Sequence, residues 1–207
     1  MLKACAFLSL VGVALSLAIP SNLPVFCHKL DCPQFTVVEN TTDYELRHYD
    51  QTSWVSIRKE AANLDIVRRD MFMTLFHYID GENADQVKIP MTAPVLTTVE
   101  HGAGPNCASN FTMHFMLPHA QWAAPIKPTN SQVNIVTLPA MDVYVKSFPG
   151  YASDEDFISM AVELYKNLAT NNKHTNVDKK QYNEASYDGP YQFADRHNEI
   201  WIGKLQA

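Results

Sequence analysis

Two segments of helical period, each set between pairs of strand-like segments, restrict what this chain can become. Over 64–79 apolar residues recur three and four positions apart (Leu64, Val67, Met71, Leu75, Tyr78) and Gly81 follows as a stop signal. That spacing predicts an amphipathic helix with one buried stripe. The second such segment opens at Ser153, with Asp156 three residues on, so each side chain can cap the other's backbone amide. Phe157, Ala161, Leu164 and Leu168 then mark one face through about Ala169.

Around the helices the period shortens to two, as strands with one buried face require. Strands are predicted over 34–39, 44–49 and 51–59 before the first helix and over 93–99 and 111–117 after it, with the Gly102 to Pro105 loop between the last pair. A linker over 118–131 carries three prolines, and the pattern then resumes at 132–138, 142–148, 180–187 and 199–205. Each half therefore reads strand, strand, helix, strand, strand, with one extra strand at the start. The expected fold is α+β: a twisted antiparallel β-barrel of two duplicated ββαββ halves, built as two four-stranded sheets closing on each other, with two α-helices outside.

The N-terminus is of a different kind. One cation, Lys3, precedes an apolar run from Ala4 to Leu15, and Ser16-Leu17-Ala18 supplies a small-x-small site before Ile19-Pro20. This predicts a cleaved secretory signal over 1–18, an arm over 19–34 that carries two cysteines, and a folded domain over 35–207. No later segment approaches the length of a membrane helix, so membrane insertion is not expected. Asn40-Thr41-Thr42 and Asn110-Phe111-Thr112 are N-glycosylation acceptors that the secretory route permits.

Once Cys5 leaves with the signal, Cys27, Cys32 and Cys107 remain, an odd number for an oxidising compartment. One bridge and one leftover thiol are expected: Cys27 with Cys32 would close a short loop, and a bridge that includes Cys107, slightly preferred, would pin the arm to the body. Zinc held by Cys27 and His28 is not expected, since no second Cys or His pair stands at ligand spacing. The formal charge of −6 becomes one unit more negative without Lys3, and no basic run survives. Nucleic acid and anionic lipid are therefore poor partners.

Six separated motifs carry a resemblance. They are Tyr44-Glu45-Leu46-Arg47-His48-Tyr49, Trp54-Val55-Ser56, Tyr78-Ile79-Asp80-Gly81-Glu82-Asn83, the run from Lys88 to Val95, the run from Val143 to Gly150, and Arg196-His197-Asn198-Glu199-Ile200-Trp201. In this order and spacing, over roughly Phe35 to Lys204, the chain resembles the SOUL or heme-binding-protein family. The resemblance implies a twisted β-barrel with two helices that binds heme or a related tetrapyrrole, with no turnover common to the family. The signal, the sequons and the cysteines set this chain apart from the family's cytosolic members and favour an extracellular protein.

Heme needs an apolar slot, cations or donors for its propionates and, optionally, an iron ligand. Arg69, Met73 and His77 stand four apart on the first helix, beside Phe72 and Phe76, so Arg69 can meet a propionate while Met73 lies on the ring. The resemblance implies that this helix holds heme and that a basic residue matching Arg69 contacts it. The alternative is a boundary stripe, with Arg69 and His77 solvated and Met73 filling the core. His48 matches the position proposed as the axial ligand in some family members, although related heme binders lack it. His48 shares its strand face with Tyr44 and Leu46, opposite Glu45, Arg47 and Tyr49. Either His48 or His77 is the candidate axial iron ligand, and Tyr187 matches a family tyrosine near the ring. Pro90 and Pro94 flank Met91 and mark an architectural bend.

No G-x-S-x-G, H-E-x-x-H, P-loop or Gly-rich dinucleotide fingerprint occurs. The expected function is a secreted, non-enzymatic heme carrier or scavenger holding b-type heme reversibly. A module for another apolar ligand or a protein partner is the alternative, ahead of a tetrapyrrole-modifying or hydrolytic enzyme.

Overall fold

The computed structural model describes residues 23–102 and 108–205. The predicted signal segment and Cys107 lie outside them. The strands are β1 (Phe35–Asn40), β2 (Glu45–Tyr49), β3 (Thr52–Ala61), β4 (Val95–Glu100), β5 (Ser109–Met116), β6 (Asn134–Leu138), β7 (Met141–Pro149), β8 (Gln181–Ser186) and β9 (His197–Gly203). The helices are α1 (Asp65–Ile79) and α2 (Asp154–Thr170). β4 begins directly after Pro94, which has no N–H to give to a ladder. At α2 the Ser153 hydroxyl accepts the Asp156 amide at 3.2 Å while the Asp156 carboxylate accepts the Ser153 amide at 2.8 Å, so the expected capping box is formed.

The α+β architecture of two duplicated halves with two helices is present, as a half-barrel. All nine strands lie in one curled antiparallel sheet, in the order β1-β2-β7-β9-β8-β4-β5-β3-β6. The two sheets expected to close on each other are continuous instead, joined through β4 and β8, and the edge strands β1 and β6 are not paired to each other.

With β2-β3-α1-β4-β5 as one half and β6-β7-α2-β8-β9 as the other, the order is symmetric about the β4–β8 seam. In each half the second strand pairs the fourth and the fourth pairs the third. The first strands are exchanged: β2 lies on β7 and β6 lies on β3. Neither half closes its own sheet, so the duplication is an interlocked pair within one domain.

Both helices cover one face. Phe157, Ala161, Leu164 and Leu168 of α2 are all buried, as are Met71, Leu75, Tyr78 and Ile79 of α1. They pack on Leu46, Ile57, Phe111, Met113, Tyr144 and Ile200, and each fully buried Leu or Phe contributes about 1.5–3 kcal/mol. The opposite face is covered by the N-terminal arm, where Leu23, Phe26 and Leu30 pack on Tyr49, Trp54, Leu96, Met116 and Trp201. The Asp31 carbonyl accepts the Ala93 amide and its carboxylate accepts the His119 amide, which ties the arm to two loops.

The cysteine expectation is corrected. Cys27 is bonded to Cys32, with Cα atoms 6.2 Å apart, so neither is available to Cys107. His28 and Lys29 adopt left-handed backbone, φ 50° and 67°, and this reversal brings two cysteines five residues apart into bonding range. The sulfur of Cys27 is thereby removed from metal binding, and His28 instead pairs with Asp188 at 2.7 Å.

Candidate functional site

The solvent side of α1 carries apolar residues among its charged ones. Its helical period turns Met71, Leu75 and Tyr78 into the core and leaves Ile66, Met73 and Phe76 exposed, the last two at 37% each. Phe72 bridges the two sides: its ring meets Phe115 edge-on at 5.2 Å and lies nearly parallel to Phe76 at 6.2 Å. Arg69 is exposed and makes no ion pair among the described residues. His77 is half-exposed, with Nδ1 3.8 Å from Glu82 Oε1. Arg69, Met73 and His77 therefore form the predicted outward stripe, with Phe72 and Phe76 beside it. Such a stripe can lie against a flat apolar ring and offer a guanidinium to a carboxylate at its edge.

The other candidates sit elsewhere. His48 faces the helix side of β2, but at the half of the sheet covered by α2, whereas α1 packs on β3 and β5. Its Nδ1 is 2.7 Å from Asp142 Oδ1, in a hollow of about 470 Å³ with Met141, Asn176 and Lys204. The hydrogen bond from His48 holds the Asp142 carboxyl below its usual range, with Lys204 adding to the effect against a smaller opposing effect of burial. Among the described residues no hydrogen bond or ion pair joins His48 to the α1 stripe.

Tyr187 is buried on the opposite face, where it donates to Glu199 Oε2 at 2.9 Å and meets Phe26 edge-on at 4.9 Å. It shares no surface with α1. Among the sequons, Asn40 is exposed at the end of β1 and Asn110 is half-buried in β5.

Two features were not singled out from sequence. One is an exposed aromatic group, Tyr151, Tyr191 and Phe193, at 59%, 86% and 80% exposure. Arg196 fixes this region by donating to the carbonyls of Asp188, Gly189 and Gln192 and stacking over Tyr151 at 4.1 Å. Aromatic residues within a Gly-Pro turn, where no strand or helix face claims them, were the available signal. The other is a closed polar cluster. Glu199, fully buried, accepts from Arg47, Tyr187, His197 and Trp201 at 2.7–2.9 Å. Burial pushes its carboxyl up, but the His197 hydrogen bond and the Arg47 charge leave it below the usual range. Every contact there is internal, which marks it as architecture. Among the described residues no three His, Cys, Asp or Glu are grouped to hold a metal ion.

The sequence pattern of the SOUL heme-binding protein family matches residues 30–203. Heme-binding protein 2 of Homo sapiens is 36% identical over 159 residues, 77% of each chain. Heme-binding protein 1 of Xenopus tropicalis is 26% identical over 162 residues, 78% of this chain and 83% of that one. Two solved structures share the fold at low identity. The EcmrR C-terminal domain aligns with a TM-score of 0.56 at 12% identity, over 79% of this chain and 99% of that one. SAV2435 bound to tetraphenylphosphonium aligns at 0.51 with 14% identity, over 79% and 94%. The paired halves, the two helices on one face and a family match over nearly all the described residues lead to one conclusion: this chain belongs to the SOUL heme-binding protein family.

Proposed function

We propose that the protein binds heme, or a related tetrapyrrole, on the outward stripe of α1, and acts as a secreted, non-enzymatic carrier or scavenger. The observation that carries this reading is the exposure of Met73 and Phe76 beside an Arg69 that has no ion pair among the described residues. Neighbouring apolar side chains left in water beside a cation can serve as a binding surface. Phe72, Met73 and Phe76 would lie on the macrocycle and Arg69 would take a propionate. His77 stands at the far end of the stripe as the candidate axial ligand, and His48, paired with Asp142, would need to break that contact to serve. Heme supplies the iron and the ring; these side chains bind, orient and shield it, and the b-type mode leaves it reversible.

A hemin titration tests this. A saturable Soret change at one equivalent is expected, and Arg69→Ala should weaken binding by about 1–3 kcal/mol, the range for a charged hydrogen bond. Phe76→Asp should weaken it further. Gradual, unsaturable uptake, or unchanged affinity in both variants, would reject the stripe. Spectra of His77→Ala and His48→Ala separate axial ligation from apolar clamping.

Secretion rests on the segment over 1–18 and the compatible acceptors Asn40 and Asn110. Expression in a secreting eukaryotic cell should deliver to the medium a protein beginning at Ile19 whose mass falls on enzymatic deglycosylation. A protein retained in the cell with an intact N-terminus would count against this localisation.

A further inference from the structure

A second recessed site lies between the helices. Arg68 of α1 pairs with Asp154, the first residue of α2, and beside this bridge a groove of about 450 Å³ descends to the sheet. Its walls are largely apolar, with Leu64, Val99, Phe111, Ile158 and Val162 among them. Glu184 of β8 also lines it. That residue is only 4% exposed, and its Oε2 has no hydrogen-bond partner among the described residues. Arg68 lies 3.6 Å from it, beyond hydrogen-bonding distance, and is already engaged with Asp154.

The charges do not balance. The charged and titratable groups acting on Glu184 are Arg68 from α1, Asp154 from α2 and Tyr182 on its own strand, and Asp65, Glu155, Tyr165 and His101 line the same groove. One guanidinium thus serves two largely buried carboxyls, Asp154 and Glu184, and no Lys or Arg lines the groove among the described residues. A buried carboxylate lacking a donor is costly, and a bound cation with N–H groups would remove that cost. The same four carboxyls repel anions, so heme propionates are poor occupants and this groove is distinct from the α1 stripe.

We propose that the groove binds a small apolar molecule carrying one protonated amine, with the ammonium on the Glu184 carboxylate and the hydrocarbon body between α1 and α2. Apolar walls of this extent give affinity, and the single buried acid gives charge selectivity. Burial raises the Glu184 pKa to about 7, so the arriving cation displaces a proton that the side chain partly holds at neutral pH. Binding therefore releases protons to the buffer.

Calorimetry on the full chain at pH 7, with three ligands of one aromatic skeleton, tests the site: 2-(2-naphthyl)ethylamine, 2-(2-naphthyl)ethanol and 2-naphthylacetate. The amine is expected to bind at one equivalent at least tenfold tighter than the alcohol, with proton release seen as a buffer-dependent heat, and the acetate is expected not to bind. Glu184→Gln should bring the amine down to the affinity of the alcohol while leaving the alcohol and hemin unchanged. Ile158→Lys, at a half-exposed position of α2, puts a rival cation over the groove and should abolish amine binding in a normally folded protein. An amine no tighter than the alcohol, a Glu184→Gln protein that keeps the preference, or an Ile158→Lys protein that binds the amine normally would each overturn the proposal. Loss of hemin binding in the α1 variants with amine binding intact would separate failure of the heme site from failure of this one.

Discussion

Replacing Arg47 with Met is expected to lower the unfolding free energy by about 3–5 kcal/mol, the cost of leaving a buried charge without its partner. Glu199 is fully buried, and Arg47, itself only 3% exposed, is its cationic donor, from Nη1 to Oε1 at 2.9 Å. The same guanidinium donates to Glu45 at 2.7 Å and to the Tyr49 hydroxyl at 3.2 Å, and it covers the Phe35 ring at 4.1 Å. Removing it strands a carboxylate among Tyr187, Trp201 and His197. The position also matters to topology. Arg47 is on β2, from the first half, and Glu199 is on β9, from the second, so the pair spans β7 and fastens the exchanged strand. Urea unfolding at pH 7 measures the loss, and Arg47→Met combined with Glu199→Gln should recover at least half of it, because the buried charge is then gone. A single-variant loss under about 1 kcal/mol would show that the pair contributes no more than a surface contact.

The elements were legible in the sequence because local patterns specify them. Leu64, Met71, Leu75 and Tyr78 define α1 by period alone, and Ser153 with Asp156 places the start of α2. Strand exchange was not legible. Alternation along 44–49 tells which side chains share a face, yet it does not say that β2 pairs with β7, nearly a hundred residues away, in place of β3. The single sheet needs a second pairing of the same long-range kind, β4 with β8. The choice of disulfide stayed open for a related reason: the Cys27–Cys32 bridge depends on two left-handed residues, His28 and Lys29, whose types do not require that conformation.

Of the candidate site, the α1 stripe was readable because a helix face follows from residue spacing. Tyr187 and His48 were assigned from motif matches that carry no orientation; the strand register puts one inside the opposite face and the other against Asp142. Glu184 gave no signal at all. A glutamate in the run Gln181-Tyr182-Asn183-Glu184 reads as solvent-facing, and it is buried only because α2 and the α1–α2 bridge cover that part of β8.

That burial gives the protein a pH dependence of defined sign. Glu184 has a folded pKa raised to about 7, chiefly by burial, against an ordinary value of 4.5. Below the ordinary value both folded and unfolded chains carry the proton, and its contribution to stability is complete. As pH rises from about 4.5 to 7, the unfolded chain ionises while the folded one keeps its proton, so stability falls by about 1.4 kcal/mol per unit and levels off above the folded pKa. The loss from this group is on the order of 3 kcal/mol. Glutamine cannot ionise, so Glu184→Gln should match the parent near pH 4.5 and exceed it by that order at pH 8, measured by urea unfolding at both values. Asp154 is also shifted upward, by burial against the pull of Arg68, and because it shares that guanidinium with Glu184 the difference between the two proteins reports the pair. Parallel profiles would mean that Glu184 is ionised in the folded chain as freely as in the unfolded one. The groove ligand acts on the same quantity: an apolar amine at a hundred times its dissociation constant stabilises the folded parent by about 3 kcal/mol. At pH 8 it should narrow the gap to Glu184→Gln by about 1.3 kcal/mol or more, because the variant binds the amine at least tenfold more weakly, while the neutral alcohol shifts both proteins equally.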